Sequence, residues 1–281
     1  MSTKPPPDLE SKRPTRRSGT VRTSPPRSRL AARVDRVLEA ALAGEPHAAL
    51  NATASELLAE PVPVATVIQA AFDRAQPTLT EHLRLTQPFR STGLDTELVN
   101  ALASPNPRVR IAAARLCGAL RLSDAVPWLG DMMEDSNPKV REAGIRALGR
   151  SGGHRAVDVL MTAVDRVPQH RLAIELSRAA SDLDIEALMR KPASVQAAIV
   201  TVLACGLRRD RLRLGALLGI AHDRRWPATV RVAACKALAM IGDPATEVGL
   251  RDLTGEPDAS VQEAAIKAHR RFERAGRKSR R

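Results

Sequence analysis

Tyrosine is absent from this chain, and Phe72, Phe89, Phe272, Trp128 and Trp226 are its only aromatic residues, 2% of the total. A core so poor in rings must be built from Ala, Leu, Val and Ile. That argues against β-sandwiches and barrels, which lean on aromatic and β-branched pairs across strands. It also argues against a single-strand nucleic-acid platform, where bases stack on a row of rings. Cysteine is scarce: Cys117, Cys205 and Cys235 show neither C-x-x-C pairing nor ligand spacing with the six histidines. A disulfide framework or a zinc site is therefore not expected. No apolar run approaches the ~18 residues that a membrane span requires. Arg16-Arg17 is followed by Ser18, Gly19 and Thr20 rather than by an apolar segment, so no signal peptide is expected and a reducing, cytoplasmic setting is. Glycine-rich phosphate loops are missing, as is any nucleophile–base pair, so neither catalytic residues nor a cofactor or metal is expected.

What is present is charge, and its location matters more than its size. Of the net +13, residues 1–29 hold +6 and residues 267–281 hold +7. The 28 basic and 28 acidic side chains of 30–266 cancel. A uniformly basic chain would point to nucleic acid; a neutral body with basic ends does not do so on charge alone.

The chain's 281 residues suit either two domains or one elongated array. Residues 1–29 carry six prolines, many Ser and Thr and almost no apolar side chains, a composition that predicts a disordered tail. From Leu30 onward apolar residues recur at helical spacing: Leu30, Val34, Val37, Leu38 and Leu42. Gly44-Glu45-Pro46 should end that helix. Further helices are predicted at 47–59, 63–75, 78–86 and 95–104, the last opened by an Asp95 cap. No stretch alternates with period two, so the reading is all-α.

An internal repeat sets the architecture. Asn106-Pro107-Arg108-Val109-Arg110 returns as Asn137-Pro138-Lys139-Val140-Arg141. Taking Val109 and Val140 as anchors, later anchors are read at Val195, Val230 and Val261, with one weak unit between 140 and 195. Three residues after each anchor stands an alanine: Ala112, Ala143, Ala198, Ala233 and Ala264. Small side chains at that position let a neighbouring helix approach closely. A turn and a second amphipathic helix follow each first helix, as in Ala156–Val164 or Pro244–Leu253. One such pair cannot enclose its own apolar face, so successive pairs must stack.

These residues resemble the bacterial HEAT-like repeats named after phycobilisome lyases, whose consensus runs P-x-V-R-x-A-A-x-x-A-L-G followed by D-x-x-A-V-x-x-L. The resemblance covers about 90–281 and implies a right-handed α-solenoid of HEAT-like helix pairs. The expected organisation is a basic tail (1–29), degenerate N-terminal helical pairs (30–105), repeats over 106–266, and a basic helix end with a tail (267–281). Within the repeats the units are 106–136, 137–167, a degenerate 168–191, 192–226 and 227–257, then the start of a last helix. The degenerate unit, lacking the Asn-Pro start and the glycine turn, is expected to bend or loosen the array.

The resemblance also implies a structural role for Arg110, Arg141 and Arg231, each one residue after its anchor, meeting an acid or turn carbonyl of the adjacent unit. Arg115, Arg146, Lys236 and Lys267, six after the anchor, read as a solvated stripe. Second helices would line the concave side, where Asp131, Glu134, Asp158 and Asp165 form an acidic surface that repels phosphate. Further along, Arg208, Arg209, Arg211, Arg213, Arg224 and Arg225, with Trp226, form a candidate patch for an acidic partner. Trp128 is expected to pack. Cys117 and Cys235 read as core residues, Cys205 as nearer the surface.

The reading that follows is a monomeric, non-enzymatic scaffold or adaptor for a protein partner. The basic tails would add electrostatic attraction to an acidic protein, a lipid surface or nucleic acid. A nucleic-acid-binding protein akin to the HEAT-like alkylpurine glycosylases is the alternative, and a bilin-lyase-like chaperone ranks last.

Overall fold

The structure, a computed structural model, describes residues 29–43, 49, 52 and 94–279. Of the tail expected over 1–29, residues 1–28 lie outside the described residues and Arg29 opens the first helix; the helices expected at 63–75 and 78–86 lie outside the described residues too. So does all of the helix expected at 47–59 except residues 49 and 52. The regular elements described are helices, with no strand among them: α1 (Arg29–Ala43), α2 (Leu94–Ala101), α3 (Pro107–Ala119), α4 (Val126–Asp131), α5 (Pro138–Ser151), α6 (Gly153–Met161), α7 (Gln169–Ala179), α8 (Glu186–Arg190), α9 (Val195–Arg208), α10 (Leu214–His222), α11 (Ala228–Ile241), α12 (Glu247–Asp252) and α13 (Ala259–Ser279). None of them is long and apolar enough to cross a membrane. Asp95 sits inside the first turn of α2 rather than capping it, and α2 stops at Ala101, three residues short of the expected end.

From α3 onward the helices form pairs. The first helices α3, α5, α7, α9, α11 and α13 pack on one another in that order. Each second helix (α4, α6, α8, α10, α12) packs on the first helix that follows it. Two layers result, joined by one continuous aliphatic core, and the fold is an all-α solenoid of helix pairs. Leu129, Leu148, Leu160 and Leu238 are fully buried in that seam, where truncation of one leucine to alanine costs about 2–5 kcal/mol.

Local chemistry starts and stops each helix. The Asn106 and Asn137 side chains accept from the N–H groups of Arg108 and Lys139, with Pro107 and Pro138 at the first helical position, where a missing N–H is harmless. Ser194 opens α9 in the same way by accepting from the Ala197 N–H. α5 and α11 end on Gly152 and Gly242 at positive φ, whereas the corresponding places after α3 and α9 hold Arg121 (φ 53) and Arg209 (φ 54).

Burial fixes the register of the first-helix layer. Val109, Val140, Leu172, Ala197, Val230 and Val261 are buried in one column. This corrects Val195 as an anchor: it is 44% exposed. The anchor falls three residues after the cap, at Ala197 after Ser194 as at Val109 after Asn106. Leu172 supplies the weak unit between 140 and 195. Ala112, Ala143, Ala198 and Ala233 are all buried, while Ala264 on α13 is half-buried. The helices approach so closely that a Cβ on Gly118 would lie 2.8 Å from the Cα of Ala147. α13 reaches Ser279, so most of the C-terminal basic stretch is the end of the last helix.

Candidate functional site

On α3, α5, α11 and α13 the residue after the anchor reaches backward. Arg110 Nη1 donates to the carbonyls of Ser104 (2.7 Å) and Pro105 (3.1 Å), and Arg141 Nη1 to those of Asp135 (2.8 Å) and Ser136 (3.1 Å). Arg231 Nε donates to Ala221 O at 2.9 Å, and in the last unit Gln262 Nε2 donates to Thr254 O at 2.8 Å. Two of the arginines also reach forward: Arg110 meets Asp135 at 2.8 Å and Arg231 meets Glu256 at 3.0 Å. Arg110 thus ties the turn before its helix, and Arg231 the last turn of α10, to the turn of the next unit. Burial alone would raise the Glu256 carboxyl, but the hydrogen bond and charge of Arg231, with Arg224, hold it below the ordinary carboxylate range.

The arginines grouped as a patch for an acidic partner are mostly engaged within the protein. Arg208 donates to Leu183 O (3.0 Å) and Ser181 O (3.3 Å). Arg213 bridges Asp184 (2.6 Å) and Glu186 (3.0 Å). Arg211 meets Asp243, Arg224 meets Glu256 and Arg225 meets Asp223. Arg209 has no side-chain partner among the described residues. The six cations lie in successive turns, and each paired one faces an acid or a carbonyl.

Trp226 is half-buried and packs against the core. It lines a groove of about 580 Å³ between α8 and α10, with Met189, Ala216, Gly219 and Ile220 as apolar floor and Glu186, Arg190, His222, Asp223 and Arg225 as charged rim. A Cβ added at Gly215 or Gly219 on α10 would meet nothing within 4 Å, so these glycines leave open space rather than serve packing inside the chain. The acidic candidates lie further toward the N-terminal units. Asp131 belongs to α4 and Asp158 to α6, both exposed, and exposed Asp165 follows α6. Glu134 pairs with Arg166. Trp128, expected to pack, is 46% exposed on α4 beside this acidic group. The inward position of the helix is already taken by Leu129.

The opposite layer has the clearer charge pattern. Through Arg271 the six first helices carry fifteen basic residues and three acidic ones, Glu142, Glu175 and Glu263. The second helices and turns between them carry sixteen acids against eleven bases. Even when counted only to residue 266, the first helices carry twelve bases against three acids, so the neutral body conceals a separation of charge between layers. With the corrected register, the column six residues after the anchor reads Arg115, Arg146, Arg178, Leu203, Lys236 and Lys267; all are exposed except half-buried Leu203. Arg178 and Leu203 escape a reading anchored on Val195. The cap-to-anchor spacing of Asn106 and Asn137, applied at Ser194, is the signal that finds Leu203. Arg146, Arg178 and Lys267 have glutamate partners on their own helices. Arg108, Arg115, Lys139, Arg150, Lys236, Arg270 and Arg271 have no side-chain partner among the described residues.

All three cysteines are buried, which corrects the placement of Cys205 near the surface. Burial pushes the thiols of Cys117 and Cys205 up to about 12 and that of Cys235 up to about 11, far from the thiolate that nucleophilic chemistry needs. Among the described residues no group of His, Cys, Asp or Glu side chains is arranged to hold a metal ion.

Comparison with known proteins agrees with the helix pairs. No curated protein matches the chain. Among solved structures, human deoxyhypusine hydroxylase in complex with glycerol aligns over 87% of this chain and 97% of its own, at 19% identity and a TM-score of 0.34. An engineered protein aligns over 86% of this chain and 96% of its own, at 18% identity and a TM-score of 0.35. A family model described as HEAT repeats matches residues 96–177. From α2 through most of α7, the chain is therefore similar to HEAT repeats.

Proposed function

We propose that this chain is a non-enzymatic scaffold that holds a protein partner on its solenoid surface, its basic terminal segments adding electrostatic attraction. The groove between α8 and α10 carries this reading. It pairs an apolar floor that includes Trp226 with a charged rim, the make-up of a protein-binding patch with an aromatic anchor. Gly215 and Gly219 keep the space above α10 free, although alanine at either position would favour the helix by about 1 kcal/mol. Asp131, Asp158 and Asp165, with exposed Trp128, extend the same layer as an acidic end. An apolar groove rimmed by charges of both signs suits a partner with its own charge pattern better than a uniform polyanion.

Affinity capture at physiological salt tests this reading, with the full chain compared against Gly219→Phe, which fills the groove. A specific protein retained by the native chain and lost from the variant is the expected outcome. Capture of nothing specific, or of the same protein by both chains, overturns it.

A further inference from the structure

We infer that the first-helix layer is a second docking surface, and that its occupant is an acidic amphipathic helix of a partner protein. This rests on the scaffold reading and names a different face for the contact. Helix α9 carries no charged residue from Val195 to Leu207. A helix apolar all round belongs in the interior, yet one side of α9 faces outward, with Val195 and Leu207 exposed and Leu203 half-buried. A groove of about 520 Å³ runs over it, lined by Val195, Ile199 and Leu203 of α9 and by Val232 and Lys236 of α11.

The groove interrupts a basic surface. Leu203 takes the place held by Arg or Lys on α3, α5, α7, α11 and α13. The layer order sets Lys139 and Arg150 of α5 on one side of it and Lys236, Arg270 and Arg271 on the other, all without side-chain partners among the described residues. An apolar trough with unpaired Lys236 on its wall, set within a basic layer, complements a helix with apolar residues at i, i+3, i+4 and i+7 and carboxylates on its flanks. A phosphate backbone would engage the cations and leave exposed Val195 and half-buried Leu203 uncovered. A bilayer would demand more than one such apolar strip and large side chains able to insert.

The test is display selection with random peptides of about 18 residues, five turns of helix, on the full chain. Selected peptides are then measured at about 150 mM salt, where long-range attraction is screened. Expected are sequences with the i, i+3, i+4, i+7 apolar pattern and flanking Asp or Glu. Their affinity should fall at least roughly tenfold, about 1.4 kcal/mol, in Lys236→Glu and in Val195→Glu. Both positions are exposed, and circular dichroism verifies that each variant is folded. Peptides without this pattern, or with unchanged affinity for both variants, overturn the proposal, as does failure to enrich any peptide. It also falls if a DNA duplex or phosphatidylserine vesicles bind more tightly than the peptides and lose binding in the same variants. Peptides that fail instead on Gly219→Phe overturn this surface while leaving the scaffold reading intact.

Discussion

A Cβ built on Gly206 would stand 2.6 Å from the Cα of Ala237: α9 and α11 meet backbone to backbone. No rotamer change relieves such a contact, because the obstructing atom is main chain. Gly206→Ala must part the two helices, and the expected cost is about 1–3 kcal/mol. The midpoint of urea unfolding checks this, and an unchanged midpoint would show the layer to be more compliant than its packing implies.

Arg231 ties Ala221 O to Glu256 while almost fully buried. Arg231→Met removes both contacts, and loss of the buried charged hydrogen bond to the Ala221 carbonyl is expected to cost about 1.5–3 kcal/mol, read as a lowered midpoint of urea unfolding. The pH dependence follows from the sign of the shift. The Glu256 carboxyl is held below its ordinary 4.5, so its contribution is complete above that pH and is lost as pH falls through the lower folded value. Stability measured across the acid range should therefore fall less steeply in Arg231→Met than in the native chain.

The cysteines give a direct check on the core. With thiols raised to about 11–12 by burial, iodoacetamide at neutral pH should leave all three unmodified in the folded protein and alkylate all three in denaturant. Mass spectrometry reads the count. Rapid native labelling of Cys205 would contradict its burial.

Arg209 holds a left-handed backbone with no side-chain partner among the described residues. Two other units place glycine where the chain leaves the first helix, and an L side chain in this conformation costs about 1–2 kcal/mol. Arg209→Gly should stabilise the protein by up to about 1 kcal/mol once the added freedom of the unfolded chain is subtracted. A thermal or urea midpoint that fell would overturn this.

Residues 168–191 are the last case. α7 starts at Pro168 and α8 at Ile185 without side-chain caps, and α8 has five residues. Amide exchange over 168–191 should be faster than over 137–166. Equal protection in the two units would remove the idea of a weaker stretch.

The helical repeats were legible because the signals that make them are local. Asn-Pro starts, glycine stops and the spaced alanines act within one turn of their own helix. The α9 register was not legible from its anchor, because Val195 resembles Val109 and Val140 in type while the helix starts from a different cap. One slip of two residues moved Leu203 out of the basic column and hid the apolar break. The arginines around 208–225 misled for another reason. Most of their acids, Asp184, Glu186, Asp243 and Glu256, come from neighbouring units, with Asp223 beside Arg225 the local exception, so a cluster in sequence is a set of separate ties in space. Trp128 and Leu129 are adjacent apolar residues, and only the orientation of α4 decides that Leu129 is core and Trp128 exposed.

Fifteen bases to three acids on one layer, against an acid-rich opposite layer, give the described helix pairs a transverse dipole that the overall formula hides. A negatively charged body nearing it feels a torque before any contact forms, and the molecule turns its arginine-bearing back toward the visitor. Encounters would then be oriented at a distance, and raising ionic strength should slow association more than it speeds release.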